Sequence, residues 1–197
     1  MINGLSFFGL NGSGKSTLAH ALAKQTDYFE MDAEDYYFPE QKESRKWAMD
    51  PNGLPVTEPL GTIPFSVSRT KEEVQNALIN DFRIHPGFIL SRVTMNWNEA
   101  ILSRIDLAFL VQTPLEERLK RIRIREEKRF GEKVLPGGDM YLQQMEFRTA
   151  SKSRDPKEVE ESAKRLNCPI VVLDGTKSVE ENLKRILVSQ GEWVFVC

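Results

Sequence analysis

The sequence predicts a three-layer α/β fold, a parallel sheet covered by helices on both faces. Two observations carry that expectation. Short, continuously apolar runs alternate with helical patterns, as strands buried on both faces do. The first run ends in the glycine turn Gly9-Leu10-Asn11-Gly12-Ser13-Gly14-Lys15-Ser16-Thr17, at the carboxyl end of a strand, where such sheets bind ligands. Crossovers between the strands are expected to be right-handed.

Leu5-Ser6-Phe7-Phe8 is short, apolar and aromatic and stops at Gly9, which reads as the first buried strand. Lys15 to Ala23 favours a helix with Leu18 and Leu22 on one face. Tyr28-Phe29-Glu30-Met31 reads as the second strand, ending at Asp32. Residues 39–66 are rich in proline and poor in periodic apolar positions, so loop or short irregular helix is expected. Thr70 and Glu73 form a capping box that opens a helix to about Ile79. Gly87-Phe88-Ile89-Leu90 reads as the third strand, and Ile105 to Val111 as the fourth. Pro114, tolerated in a first helical turn, starts a long charged helix that Gly131 interrupts. Pro136-Gly137-Gly138 reads as a mobile loop. Helical patterns return over Met140–Ser151 and Lys157–Leu166. Pro169 to Leu173 is the expected fifth strand, and Ser178 with Glu181 caps a last helix. The tail Glu192-Trp193-Val194-Phe195-Val196 suits an extra edge strand or a packed coil.

The 197 residues, 40% of them hydrophobic, suit one domain with a sizeable core, so residues 1–197 are expected to form a single unit. Lys plus Arg number 27 and Asp plus Glu 29, so the balance of −2 gives no general reason to expect nucleic acid or an acidic membrane as partner. Cys168 and Cys197 are too few for a disulfide framework and read as small apolar side chains. No apolar stretch approaches the roughly 18 residues of a membrane helix, and no signal peptide is recognisable, so a soluble, cytoplasmic protein is expected. Composition leaves the oligomeric state open.

Gly9 to Ser16 fits G-x-x-x-x-G-K-[ST] without a mismatch. Glycines let backbone N–H groups converge on an anion, and the following helix adds its positive end. Gly9, Asn11, Gly12, Ser13, Gly14, Lys15, Ser16 and Thr17 are therefore expected to hold the phosphates of ATP. Lys15 would reach the β- and γ-phosphates, and Ser16 would ligate Mg²⁺. The chain carries neither an Asn-Lys-x-Asp base-reading motif, as a GTPase would, nor a Leu-Ser-Gly-Gly-Gln-like signature, as an ABC ATPase would.

Beyond the turn, "MDAEDYY" follows the second strand, "RIRIREEKRFG" precedes a glycine-rich loop, and "PIVVLDGT" forms the last strand and turn. With them the chain resembles the nucleoside-monophosphate-kinase-like and shikimate-kinase-like group of P-loop small-molecule kinases. The segment "GGDMYLQQMEFRTASKSRD" is similar to a set of bacterial AAA-type ATPase or kinase-like proteins. The resemblance implies the P-loop NTPase fold, with a five-stranded sheet in order 2-3-1-4-5. It also implies a mobile lid at about 126–150 and an acceptor-binding segment at about 36–80.

Asp32, Glu34 and Asp35 lie at the expected end of the second strand, facing the phosphates. A kinase needs a carboxylate there to orient the acceptor hydroxyl or to bind Mg²⁺, and similar kinases place an Asp at this point. Asp32 and Asp35 are the expected catalytic acids, with Asp32 also a metal ligand; a solvated turn capping a helix is the plainer account of both. Tyr36, Tyr37 and Phe38 would flank an acceptor or simply pack. The third strand departs from the common pattern: it ends Leu90-Ser91-Arg92, with a serine where many P-loop proteins carry the Walker B acid. That places the burden of negative charge on Asp32 or Asp35, or marks weakened catalysis. Arg92 would bind an anionic acceptor or pair with surface acids.

Arg118, Arg121, Arg125, Lys128 and Arg129 fall within an arc of about 100° on the charged helix, with Leu115, Leu119 and Ile122 on the neighbouring, core-facing arc. A solvated face, balanced by nearby glutamates, accounts for Arg118 and Arg129. Arg121 and Arg125 match the pattern that leads into the lid in the resembling kinases, where arginines clamp phosphates and lie against adenine. Arg125 is the expected catalytic arginine. Arg148 and Arg154 follow the lid and could close over the nucleotide, with Gly131 and Gly137-Gly138 as hinges. His20 and His85 lack partners at ligand spacing and read as structural.

These residues point to an enzyme that transfers the γ-phosphoryl group of ATP to a nucleoside, nucleotide or similar small acceptor. An ATP-binding regulatory protein or slow ATPase is the alternative, mildly favoured by Ser91. A polynucleotide-end kinase is disfavoured by the acidic balance and by the lack of an aromatic and basic strand face.

Overall fold

A computed structural model gives the structure of residues 2–41 and 67–194. Most of the proline-rich stretch, much of the expected acceptor-binding segment, and Phe195, Val196 and Cys197 lie outside the described residues.

Five parallel strands form one sheet in the order β2-β3-β1-β4-β5. They are β1 (Gly4–Phe8), β2 (Phe29–Asp32), β3 (Phe88–Arg92), β4 (Leu107–Gln112) and β5 (Ile170–Asp174). The order is the one implied by the resemblance. β1 sits at the centre, with Phe8 opposite Arg92 on β3 and opposite Leu110 on β4. Alternation along β1 divides the core. Phe7 faces one side, stacked on Phe109 at 4.8 Å between ring centroids, and Phe8 faces the other.

Helices α1 (Lys15–Ala23) and α8 (Val179–Val194) cover the Phe7 side through Leu18, Ala19, Leu22, Leu183 and Ile186. The Phe8 side is covered by α3 (Lys71–Ile84), α4 (Glu99–Leu102) and α7 (Pro156–Ala163), after a short α2 (Ala33–Tyr37) beyond β2. The sheet is thus buried on both faces, as its uniformly apolar strands require. The hairpin of α5 (Leu115–Phe130) and α6 (Tyr141–Ser153) contributes to neither core cluster.

Both expected capping boxes form. The Glu73 N–H donates to the Thr70 hydroxyl at 3.3 Å, and the Glu181 N–H to the Ser178 hydroxyl at 3.2 Å. Several boundaries move. α3 runs to Ile84 rather than Ile79, and β3 includes Ser91 and Arg92. Pro114 is the N-cap of α5, one residue before its first turn. Glu192-Trp193-Val194 belong to α8, not to an edge strand. Leu115 does not face the core: it is 37% exposed.

Candidate functional site: the phosphate loop and its arginines

The turn after β1 has the backbone its glycines predict. Gly12 and Gly14 have φ of 79° and 99°, in the left-handed region where a side chain is strained. Space is closed as well: a Cβ on Gly12 would lie 2.5 Å from the Arg118 carbonyl oxygen. Gly14 is the N-cap of α1 and has no side chain to satisfy the first-turn N–H groups, which suits that helix end to an anion.

What holds the loop was only partly legible. Arg118 Nη1 donates to the Asn11 carbonyl at 3.2 Å. The Ser13 carbonyl accepts from Thr113 Oγ1 at 2.9 Å and from Arg121 Nη1 at 3.5 Å. Arg154 Nη1 reaches the Asn11 side-chain oxygen at 3.4 Å. Side-chain donors from α5 and from Thr113 therefore occupy the Asn11 and Ser13 carbonyls. The Ser13 hydroxyl is buried without a hydrogen-bond partner.

Arg118 is a correction to the solvated-face reading. Only 4% of it is exposed, its Nε has no partner, and burial lowers its pKa. Arg121, paired with Glu117 at 3.7 Å, joins it on the loop. Arg125, one turn on and half-buried, makes no hydrogen bond to the loop. Arg148 is held elsewhere: its Nη1 donates to Glu126 at 2.5 Å. Glu126 is buried on α5, and burial raises its pKa against the opposing pull of Arg148. Thr113 was missed; its signal was its place just past the carboxyl end of β4.

The acidic side of the site is built by β2 and β3. Ser91 lies within hydrogen-bonding reach of the P-loop serine, with Ser16 Oγ and Ser91 Oγ 3.3 Å apart. β3 thus brings a hydroxyl, rather than a carboxylate, to the Ser16 hydroxyl. Asp32 pairs with Ser91 in the register of the neighbouring strand, which puts a carboxylate one strand away. Asp32 also caps α2, its Oδ1 accepting from the Glu34 N–H at 3.0 Å, so the capping account of this acid holds. Glu34 and Asp35 occupy the first turn of that helix. Among the described residues, no group of three or more His, Cys, Asp or Glu converges as a metal cage.

The stretch expected to form a lid is folded. After Gly131, with φ of 55°, a 3₁₀ turn over Gly131–Val134 buries Val134, and Met140 is buried before α6 begins. His20 pairs with Glu30 at 2.8 Å, and His85 stacks on Phe29 at 3.6 Å. A cleft of about 780 Å³ touches the loop at Gly9 and Leu10 but extends over β4, β5 and α7. It does not include Lys15 or Ser16, so it neighbours the phosphate site and is not that site. No described helix is long and apolar enough to cross a membrane.

No family model matches the chain. A protein of Bacillus subtilis (strain 168), the uncharacterized protein YqaC, is 27% identical over 195 residues, covering 95% of this chain and 97% of the relative. Among solved structures, a gluconokinase from Sinorhizobium meliloti 1021 superposes with a TM-score of 0.53 at 12% identity, over 97% of this chain and 93% of that one. Deoxyadenosine kinase from M. mycoides with bound dATP gives 0.52 at 13% identity, over 95% and 99%. At such identities the likeness is one of fold: a five-stranded parallel sheet in the order 2-3-1-4-5 with helices on both faces.

Proposed function

We propose that this protein is an ATP-dependent phosphotransferase acting on a small-molecule acceptor. The observation that carries the reading is the loop itself. Two glycines stand in left-handed conformations and arginines hold its carbonyls, while the Ser13 hydroxyl is left without a partner. That cradle suits a triphosphate.

Gly9, Asn11, Gly12, Ser13, Gly14, Lys15, Ser16 and Thr17 would bind ATP, with Arg121 beside them. Ser16 and Asp32 fit Mg²⁺, a hard cation that takes few protein oxygens and keeps its waters. Bound there, Mg²⁺ would neutralise charge on the phosphates. The acceptor hydroxyl oxygen attacks the γ-phosphorus and forms the new P–O bond. The bond to the bridging oxygen breaks, its electron pair leaves with ADP, and the hydroxyl proton passes to the carboxylate of Asp32 or Asp35. Arg125 would reach the transferring group when the 126–150 lid closes, with Gly131 and Gly137-Gly138 as hinges. The whole chain would act as one domain in the cytoplasm, on small molecules rather than nucleic acid or membrane.

A slow, regulatory ATPase is the second reading, and the observation favouring it is Ser91 beside Ser16. An ADP-release assay over a metabolite panel separates the two. Kinase activity appears as ADP formation that depends on one acceptor and falls about 10²-fold or more in Asp32→Asn or Asp35→Asn. Lys15→Ala is expected to remove most of the thermal stabilisation by Mg²⁺-ATP. Acceptor-independent ADP release, indifferent to both acids, selects the ATPase. An undiminished ATP shift in Lys15→Ala refutes the phosphate-loop assignment.

A further inference from the structure

Arg118 faces two ways. Its Nη1 is occupied by the Asn11 carbonyl at 3.2 Å, while its Nε is buried and has no hydrogen-bond partner among the described residues. The same side chain lines the cleft of about 780 Å³, together with Leu10, Leu110, Leu115, Val159 and Val172. Leu10, Leu110 and Val159 belong to the core on the Phe8 side of the sheet. α1, whose first turn follows the phosphate loop, packs on the Phe7 side through Leu18 and Leu22. Arg121, which reaches the Ser13 carbonyl, is not part of the cleft wall, and neither is Lys15 or Ser16. The cleft therefore lies behind the phosphate loop, on the other face of the sheet from α1.

Its make-up is that of a ligand site. The volume falls in the range of about 300–1,000 Å³ that small-molecule sites occupy. Part of the wall is apolar and open: Val172, which pairs with Leu110 across β5 and β4, is 43% exposed. Beside that surface stands a buried cation with an unmet donor, an arrangement that costs most on a charged group. The acids of the cleft do not meet it. Asp174 Oδ1 accepts from the Thr176 N–H at 2.9 Å and from its hydroxyl at 2.7 Å, and Glu160 is exposed to solvent. Arg185 adds a second cation to the lining. A guanidinium held by Nη1 still offers the edge that carries Nε, and a carboxylate can accept two parallel hydrogen bonds from such an edge.

From this pairing we propose that the cleft is a second ligand site, separate from the phosphate loop, for a carboxylic acid with an apolar body. The carboxylate sits on the Nε edge of Arg118, and the body covers Leu110, Leu115 and Val172. The site does not depend on phosphotransfer. Its occupant touches the side chain that supports Asn11 without entering the loop, so the acid and Mg²⁺-ATP bind together.

Octanoate and octanamide, alike in length and different in charge, form the probe pair. Binding is read by calorimetry and from the Val172 methyl signals in ¹H–¹³C spectra, assigned with Val172→Ile. Octanoate is expected to shift those signals, to bind at least 10-fold more tightly than octanamide, and to bind equally to protein saturated with Mg²⁺-ATP. Arg118→Met should weaken octanoate by about 10- to 100-fold, the scale of a charged hydrogen bond, and leave octanamide unchanged. Val172→Glu sets a like charge on the apolar wall at an exposed position; it should abolish octanoate binding and keep the thermal shift with Mg²⁺-ATP. If Arg118→Met does not fold, Val172→Glu carries the comparison. The site is overturned if octanamide binds as tightly, if octanoate affinity ignores either substitution, if no probe moves the Val172 signals, or if Mg²⁺-ATP displaces octanoate. Octanoate binding of the expected pattern in a protein that shows no thermal shift with Mg²⁺-ATP leaves this site standing and removes the phosphotransferase reading.

Discussion

Gly12→Ala tests how tightly the phosphate loop is built against α5. Gly12 has φ of 79°, and an alanine there carries left-handed strain of about 1–2 kcal/mol. The added methyl would also lie 2.5 Å from the Arg118 carbonyl oxygen and 3.0 Å from its Cα, well inside ordinary contact at about 3.5–4 Å. Both atoms are helix backbone, which cannot rotate aside as a side chain tip would. Overpacking of this kind adds about 1–3 kcal/mol, for a total of about 2–5 kcal/mol. Gly137 supplies the control. Its φ is 91°, but nothing stands within 4 Å of its added Cβ, so Gly137→Ala should show the strain alone. Urea unfolding of both variants, at equal m-values, isolates the contact as the difference between them. Gly12→Ala should also lose most of the thermal shift with Mg²⁺-ATP, and Gly137→Ala should keep it. Equal destabilisation by the two substitutions, or a full ATP shift in Gly12→Ala, refutes the reasoning.

Two further outcomes follow from single contacts. Thr113→Val keeps the side chain's shape but removes the 2.9 Å hydrogen bond to the Ser13 carbonyl; it should cost about 0.5–1.5 kcal/mol in urea unfolding and weaken Mg²⁺-ATP stabilisation, and unchanged values in both would discount this bond. Burial pushes the Cys168 thiol up to about 11, so in a Cys197→Ser background its alkylation should be slow at neutral pH and accelerate only as pH approaches that value; fast labelling at pH 7 would show that the thiol is neither buried nor raised.

The fold was legible because its signals are local and agree. Continuous apolar strands, two capping boxes and a complete glycine turn each specify their own segment, and the sheet order came with the resemblance. The misreadings share a different cause. Trp193 and Val194 suit a strand in isolation, yet they extend a helix already nucleated by the Ser178–Glu181 box, and propagation adds hydrogen bonds at little further cost. Arg118 falls in a basic helical arc by spacing, and spacing cannot show that a carbonyl 107 residues earlier draws that side chain inside. The same limit hid Thr113 and the partnership of Arg148 with Glu126. Contacts between distant segments decide which members of a charged helix are functional, and periodicity contains no record of them.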